Sequence, residues 1–240
     1  MRDKDAAQLH QQLLDNLRQS GILNAPGVEA AFAATPRHLF LPDLPLEQVY
    51  TDRPITLKYD TAGNATSSSS QPTMMALMLN QVQLQAGDNV LEIGTATGYN
   101  AAILKHIVGD RGRVTTVELD ADLARQAQAN LARSSAGNIT VVTGDGARGY
   151  APRASYDHIL ATVGVWDVPQ AWFSQLKPAG SVVVPIVING VQVSAVFQRQ
   201  ADGTFLSVDN RPCQFVYLRG SFSGPNIRKW MTSTSMYLLS

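Results

Sequence analysis

The chain has little of what usually marks a protein's setting. It carries one cysteine, Cys213, among 240 residues, so no internal disulfide can form, and a reducing cytoplasm is the simplest compartment. Neither charge is in excess. Nineteen basic residues balance nineteen acidic ones, which argues against a polyanion partner, because nucleic-acid binders carry a basic surplus. No apolar run approaches the length that spans a bilayer. The amino terminus, Met1-Arg2-Asp3-Lys4-Asp5, is charged and leads into a Gln-rich helical pattern, unlike a secretory signal. The four histidines, at 10, 38, 106 and 158, are scattered without ligand spacing, so no metal site is expected. What the chain does have is 45% hydrophobic residues, enough over this length for one sizeable core.

The most informative segment is Val90-Leu91-Glu92-Ile93-Gly94-Thr95-Ala96-Thr97-Gly98-Tyr99. It reads as a buried parallel strand that enters a turn of small residues and opens a helix, where a ligand can lie against backbone. The pattern Glu-x-Gly-x-x-x-Gly departs from the dinucleotide fingerprint, whose three glycines seat a pyrophosphate. Position 96, where a middle glycine would sit, is alanine. A nucleoside cofactor without phosphates fits better, and S-adenosylmethionine is the candidate.

Leu9, Leu13, Leu14 and Leu17 fall at helical spacing over residues 4–20, and Gly21 suits the C-cap. A short helix over 28–34 ends before Pro36. Residues 36–66, with prolines at 36, 42, 45 and 54, read as irregular connection with short extended pieces. The serine run Ser67–Ser70 precedes a helix that Pro72 starts and that Ser70 suits as N-cap. From Asn89 the pattern alternates. Strands are expected near 89–93, 113–118, 139–143, 156–163 and 180–186, with helices near 99–108, 121–133 and 168–175. Such alternation predicts an α/β fold with a parallel sheet. After Pro185 a hairpin is expected from Val191–Arg199, an Asp202-Gly203 turn and Phe205–Val208, followed by a strand near 214–218. The final stretch from Ser221 to Ser240 is polar and reads as a tail.

Acids follow the next two strands. Glu118 comes twenty residues after Gly98, where a carboxylate accepts from both ribose hydroxyls of a nucleoside. A helix-capping acid is the alternative, for which Asp120 is better placed. Asp145, in Gly144-Asp145-Gly146, can accept from an adenine amino group or simply form an Asp-Gly turn. Ligands in open α/β sheets bind beyond the carboxyl ends of the strands. The candidate cofactor residues are therefore Glu92, Gly94, Thr95, Ala96, Gly98, Tyr99, Glu118, Leu119, Asp145 and Gly146.

With these residues placed, the chain resembles the protein-L-isoaspartate O-methyltransferase family. Val90–Tyr99, Thr116-Val117-Glu118, Gly144-Asp145-Gly146, Tyr156–Leu160 and Leu176–Gly180 carry the likeness. So do Pro36-Arg37-His38-Leu39-Phe40, Tyr50-Thr51-Asp52 and Phe215–Gly220, in consistent order over roughly residues 28 to 220. The resemblance implies a three-layer Rossmann-like methyltransferase sheet with an antiparallel C-terminal hairpin and an N-terminal helical and irregular lobe. It implies residues 1–80 as the substrate-side lobe, 81–220 as the core and 221–240 as the tail. It also implies methyl transfer from S-adenosylmethionine to the carboxylate of an isoaspartyl or aspartyl residue in a protein or peptide, with no nucleic-acid or membrane partner. The ester then collapses to a succinimide when the next backbone nitrogen attacks. A carboxylate is already ionised at neutral pH and needs no general base, consistent with the lack of an acid–base dyad. Ser70 matches the family's substrate-contacting serine, although capping the helix explains it equally. Ser69, Gln71, Val163 and Trp166 flank the expected substrate cleft.

Two departures stand beside that cleft. The family's GQTIS run is replaced by Gly63–Ser70, and Thr162–Pro169 contains Trp166-Asp167 where small residues are usual. Both are similar to a divergent branch that methylates aspartate in ribosomal peptide precursors. Trp166 suits stacking on a peptide or anchoring a core, and Asp167 suits capping the helix at Val168-Pro169. Met74, Met75 and Met78 suit core packing or an adaptable wall. A non-catalytic cofactor-binding module is the remaining alternative.

Overall fold

The computed structural model describes residues 2–134 and 136–224; the expected tail lies outside the described residues from Pro225 onward. Strand β3 (Asn89–Ile93) is buried at every position, Asn89 and Glu92 included, as befits a strand covered on both faces. It pairs in parallel with β4 (Arg113–Glu118) on one side and β6 (Tyr156–Ala161) on the other. Beyond β4 lies β5 (Ile139–Thr143). Beyond β6 lie β7 (Leu176–Ile188), β8 (Val191–Arg199) and β9 (Phe205–Pro212), giving the order β5-β4-β3-β6-β7-β8-β9. The chain moves outward from β3 to β5, then returns to start β6 on the opposite side of β3. That reversal opens a crevice at the carboxyl ends of β3 and β6, where this class of sheet holds its ligands.

Side chains alternate across the sheet. Val90, Val114, Leu160, Val183 and Val196 share one core with α1 (Arg2–Gln19), α2 (Pro26–Ala34), α4 (Pro72–Val82) and α5 (Tyr99–Val108). Leu91, Ile93, Val117, Ile159, Val182 and Val184 face the second core, around Trp172 of the short helix α7 (Gln170–Ser174). Helix α6 (Ala121–Arg133) contributes Leu131 to the first core. β7, β8 and β9 run antiparallel. The β7–β8 turn places Asn189 and Gly190 at φ +50° and +81°, the positive pair a tight hairpin needs.

The structure corrects several expectations. The 36–66 connection holds a helical turn, α3 (Leu46–Val49), and a two-stranded antiparallel sheet, β1 (Ile55–Tyr59) with β2 (Ala65–Ser69). The serine run is thus largely strand, with Ser67 and Ser69 buried; pairing with β1 overrides the weak strand preference of serine. Helix α7 starts at Gln170 with no side-chain cap, and Asp167 instead accepts from Val168 N at 2.8 Å. Residues 214–218 make a single bridge, Tyr217 with Gly164, rather than a strand. Their backbone is met by a loop and a side chain: Gly164 N donates to Val216 O, Leu218 N donates to Gly164 O, and Phe215 N donates to Gln192 Oε1.

Arg37 ties the amino-terminal lobe to the serine strand. Its side chain is fully buried. Nη1 donates to Val49 O and Thr51 O at 3.0 and 2.9 Å. Nη2 reaches Ser70 O at 3.0 Å and, at longer range, Arg53 O, Ser69 O and Ser69 Oγ. One planar fork thus satisfies acceptors on five residues. Arg37→Met strands several of these carbonyls, each costing about 1–3 kcal/mol, so denaturant unfolding should show a loss of about 3 kcal/mol or more. Arg37→Lys should recover little, because an ammonium cannot span that fan. A loss below about 1 kcal/mol for the Met variant contradicts this account.

Candidate active site

The turn after β3 brings two strand ends unusually close. At Gly94, φ is +100°, and a Cβ would sit 2.7 Å from Thr162 Oγ1 and 3.2 Å from Val163 Cγ1. Only glycine allows this approach, and it leaves the backbone open to a ligand. Thr162 Oγ1 donates to Gly94 O at 2.8 Å, joining the end of β6 to the turn. Ala96 also lies at positive φ, +47°, a position that costs a residue with a Cβ roughly 1 kcal/mol or more. It is held there by the bond its N–H donates to Glu118 Oε2 at 2.9 Å. Gly98, at φ +85°, starts α5 where a Cβ would press on Leu131 at 3.1 Å.

Glu92 lies beneath this turn, completely buried, and does not line the cleft. Asn100 Nδ2 donates to its Oε1 at 2.7 Å and Thr116 Oγ1 to its Oε2 at 2.6 Å. Thr116 Oγ1 also lies 2.7 Å from Thr95 Oγ1. Glu92 therefore acts on the turn through Thr116, Thr95 and Asn100. Burial, reinforced by the nearby Glu118 charge, pushes its carboxyl up to about 7 against those two hydrogen bonds.

Beyond the strand ends lies a cleft. Gly94, Ala96, Glu118, Leu119, Gly146 and Val163 line it among others. Glu118 is held by two backbone N–H groups, Ala96 to Oε2 and Asp120 to Oε1 at 3.1 Å, which leaves further lone pairs for a ligand. Two covers close the cleft, Thr66–Ser68 of β2 and Val216–Arg219 of the carboxyl segment. Asp120, at the α6 N-cap position, makes no cap bond. Its carboxylate takes Arg219 Nη2 at 2.6 Å and Lys58 Nζ at 3.4 Å, and Arg219's hydrogen bond holds it below the usual carboxylate range. Asp145 accepts from Ala147 N and Ser221 N at 3.0 and 2.8 Å. It lies at the edge, behind Gly146, rather than along the cleft wall. Burial raises its pKa, but the bonds from Ser221 and Ala147, with the Arg148 charge, lower it overall.

A second groove runs along the serine strand, lined by Ser68, Ser70, Gln71, Met74 and Tyr217 among others. Ser70 does not cap α4: the N-cap is Gln71, without a side-chain bond. Asp52 does that work from a distance, accepting from Thr73 N at 2.9 Å, Thr73 Oγ1 at 2.7 Å and Gln71 Nε2 at 3.1 Å. Ser70 therefore lines the groove with its carbonyl held by Arg37. Ser69 is turned inward, its Oγ accepting from Arg37 at 3.4 Å. A narrow inner cavity lined by Ser68–Ser70, Gly94–Thr97, Tyr99 and Thr162 lies between cleft and groove. Tyr99 is otherwise buried against Phe32 and Phe40. Met75 and Met78 are core residues, whereas Met74 lines the groove. Trp166 stacks on Tyr217 with centroids 5.6 Å apart and planes 11° from parallel. Arg37, Asp52, Tyr217 and Asp120 are not among the expected site residues. Each acts across 12 or more positions in sequence, and short-range spacing carries no sign of that.

A glycine-opened turn, an acid on the next strand and a cleft at the topological switch define a Rossmann-like S-adenosylmethionine-dependent methyltransferase fold. The profile of the protein-L-isoaspartate(D-aspartate) O-methyltransferase family matches residues 7–222. Protein-L-isoaspartate O-methyltransferase 2 of Archaeoglobus fulgidus is 34% identical over 224 residues, 93% of this chain and 99% of its own length. The Methanopyrus kandleri enzyme of the same name is 33% identical over 219 residues, 91% of this chain and 94% of its own. A solved protein-L-isoaspartate O-methyltransferase superimposes with a TM-score of 0.77 at 35% identity, covering 89% of this chain and 67% of that one. The Plasmodium falciparum beta-aspartate methyltransferase, solved with S-adenosyl-L-homocysteine, shares the fold at a TM-score of 0.75 and 19% identity, covering 88% of this chain and 98% of that one. The chain belongs to the protein-L-isoaspartate(D-aspartate) O-methyltransferase family and is a methyltransferase.

The buried carboxyl of Glu92 has a consequence for stability. Its folded pKa of about 7 exceeds the ordinary value of about 4.3, so the folded state holds the proton more tightly. That contribution is complete below about pH 4 and is lost as pH rises through about 7. Replacing Glu92→Gln removes it. Between pH 5 and 8 the variant should gain on the parent by up to about 3 kcal/mol in unfolding free energy. Parallel pH–stability curves for the two proteins contradict the assignment.

Proposed function

We propose that this chain transfers the methyl group of S-adenosylmethionine to the side-chain carboxylate of isoaspartyl residues in proteins or peptides. The observation that carries the reading is the meeting of two spaces. The cleft at Glu118 and the hydroxyl-lined groove at Ser70 lie on either side of one inner cavity walled by Ser68–Ser70 and Gly94–Thr97. S-adenosylmethionine, when bound, supplies an electrophilic methyl. The protein's own task is to hold the nucleophile in line and keep water out.

In this assignment Glu118 accepts from the ribose hydroxyls, while Gly94 and Ala96 present backbone and Gly98 lets the start of α5 pack against Leu131. Leu119, Val163 and Gly146 wall the cleft, and Asp145, at its edge, fixes Ala147 and Ser221 beside the base. Glu92, Thr95 and Tyr99 hold the turn from beneath. Ser70 binds the substrate carboxylate through its hydroxyl, and Ser69 and Gln71 fix it in place through Arg37 and Asp52. Trp166 contacts the peptide at the outer rim. The substrate carboxylate is ionised at neutral pH, so proton removal is not required. The methyl ester then loses methanol as the following backbone nitrogen attacks, leaving a succinimide. No helix among the described residues is long and apolar enough to cross a membrane. The single cysteine supports a cytoplasmic setting.

Methyl-labelled S-adenosylmethionine supplied with matched isoaspartyl and aspartyl peptides tests the reaction. Label should enter the isoaspartyl peptide; absence of label there overturns the proposal. Two variants separate the roles. Glu118→Ala should raise the Kd for S-adenosylhomocysteine about 10-fold or more, since charge-assisted bonds contribute about 1.5–3 kcal/mol each. Ser70→Ala should lower kcat/KM for the isoaspartyl peptide by about 10-fold while that Kd stays within about twofold. Calorimetry and initial rates read both, and an unchanged Kd for Glu118→Ala refutes the ribose assignment.

A further inference from the structure

The Trp166–Tyr217 stack stands where three spaces adjoin. Tyr217 lines the cleft, the groove and a third, outer recess, and Trp166 lines that recess with it. Both rings are carried on fixed backbone. Gly164 is bonded to Val216 and Leu218, and Val165 to Pro185 and Val187, at 2.8–3.0 Å. The rings lie only 11° from parallel, and Tyr217 remains 47% exposed. The charged side chains around the recess are engaged: Lys58 with Asp120 and Asp122, Arg219 with Asp120, and Asp60 with Asn64. What the recess offers a visitor is therefore the face of Tyr217 beside charges that are already paired with one another.

We propose that this stack is a selectivity shelf for the residue flanking the methyl-accepting residue, and that it favours a large apolar or aromatic side chain. The inference rests on the peptide-methylating function proposed above. Its occupant follows from continuity. A peptide whose carboxylate is held at Ser70 lies in a groove that Tyr217 also lines, and the same ring forms the wall of the recess. The exposed face of Tyr217, backed by a Trp166 ring that also lies against Gly224, rewards apolar contact area next to a bound chain, while the neighbouring charges are already paired and give a further charged side chain less. Trp166 is then a specificity-determining residue, and Tyr217 couples the shelf to the groove.

The test uses the full chain with isoaspartyl hexapeptides that differ at one of the two positions on either side of the isoaspartate, carrying Gly, Glu or Phe. Two readouts are taken: kcat/KM for methylation, and binding of dye-labelled peptide in the presence of S-adenosylhomocysteine. At one flanking position the Phe peptide should exceed the Gly and Glu peptides by roughly 10-fold in both, the scale of one aromatic contact. Trp166→Ala should bring the ratio to within about twofold of unity, and Trp166→Phe, which keeps a flat face, should retain much of it. Melting curves confirm that both variants fold, and should the Ala variant fail to, the Trp166→Phe and Tyr217→Leu pair carries the comparison. Ratios near unity at all four positions, or a ratio unchanged by Trp166→Ala, overturn the shelf. Preferential binding of the Phe peptide without methylation of any peptide upholds the shelf and overturns the proposed reaction.

Discussion

One hydrogen bond, from the Ala96 N–H to the Glu118 carboxylate, governs the site. It holds Ala96 at a φ of +47°, where the Cβ costs roughly 1–2 kcal/mol. A charge-assisted bond contributes about 1.5–3 kcal/mol, enough to offset that cost. The bond also fixes the Glu118 side chain, which is braced from the other side by Asp120 N. The shape of the turn and the direction of the acid are thus set by the same contact. A ligand meeting Glu118 finds its geometry already in place, with little left to organise on binding.

Support for the turn comes from below and from the side. Below, Glu92 collects Asn100 and Thr116 in a buried network that reaches the turn through Thr116 and Thr95. From the side, Arg37 gathers carbonyls from the residues before β1 and from the end of β2. Leu13, Phe32 and Phe40 share one apolar core with Val90, Ile103 and Val183. The serine strand is therefore anchored to the same packed body as the glycine turn, and the spacing between groove and cleft is set by core packing rather than by a loop.

The α/β architecture and the turn after β3 were legible because their signals are local. A mostly apolar strand, spaced glycines and an acid at the end of the next strand occupy a single stretch of chain. The rest was hidden where distant residues decide. Ser70 has the chemistry of a helix cap, but Asp52 takes the Thr73 N–H from outside the helix. Serines favour turns, but pairing with Ile55–Tyr59 draws Ser67–Ser69 into a strand. Glu92 sits in the motif, but only its burial shows that it props the turn instead of facing the cleft. Residues 214–218 have a strand-like composition, but their partners are a loop and the Gln192 side chain, so no ladder forms.

Asp120 receives both Arg219 and Lys58, one from the carboxyl cover of the cleft and one from β1, the strand paired with the other cover. Two segments more than 150 positions apart thus share one anion, with Lys58 also paired to Asp122. Their attachments are not additive: loosening either leaves the carboxylate more fully available to the other. Since all three side chains are partly exposed, added salt slackens both flaps in concert. Ionic strength therefore sets how tightly the roof of the site is fastened, without touching its floor.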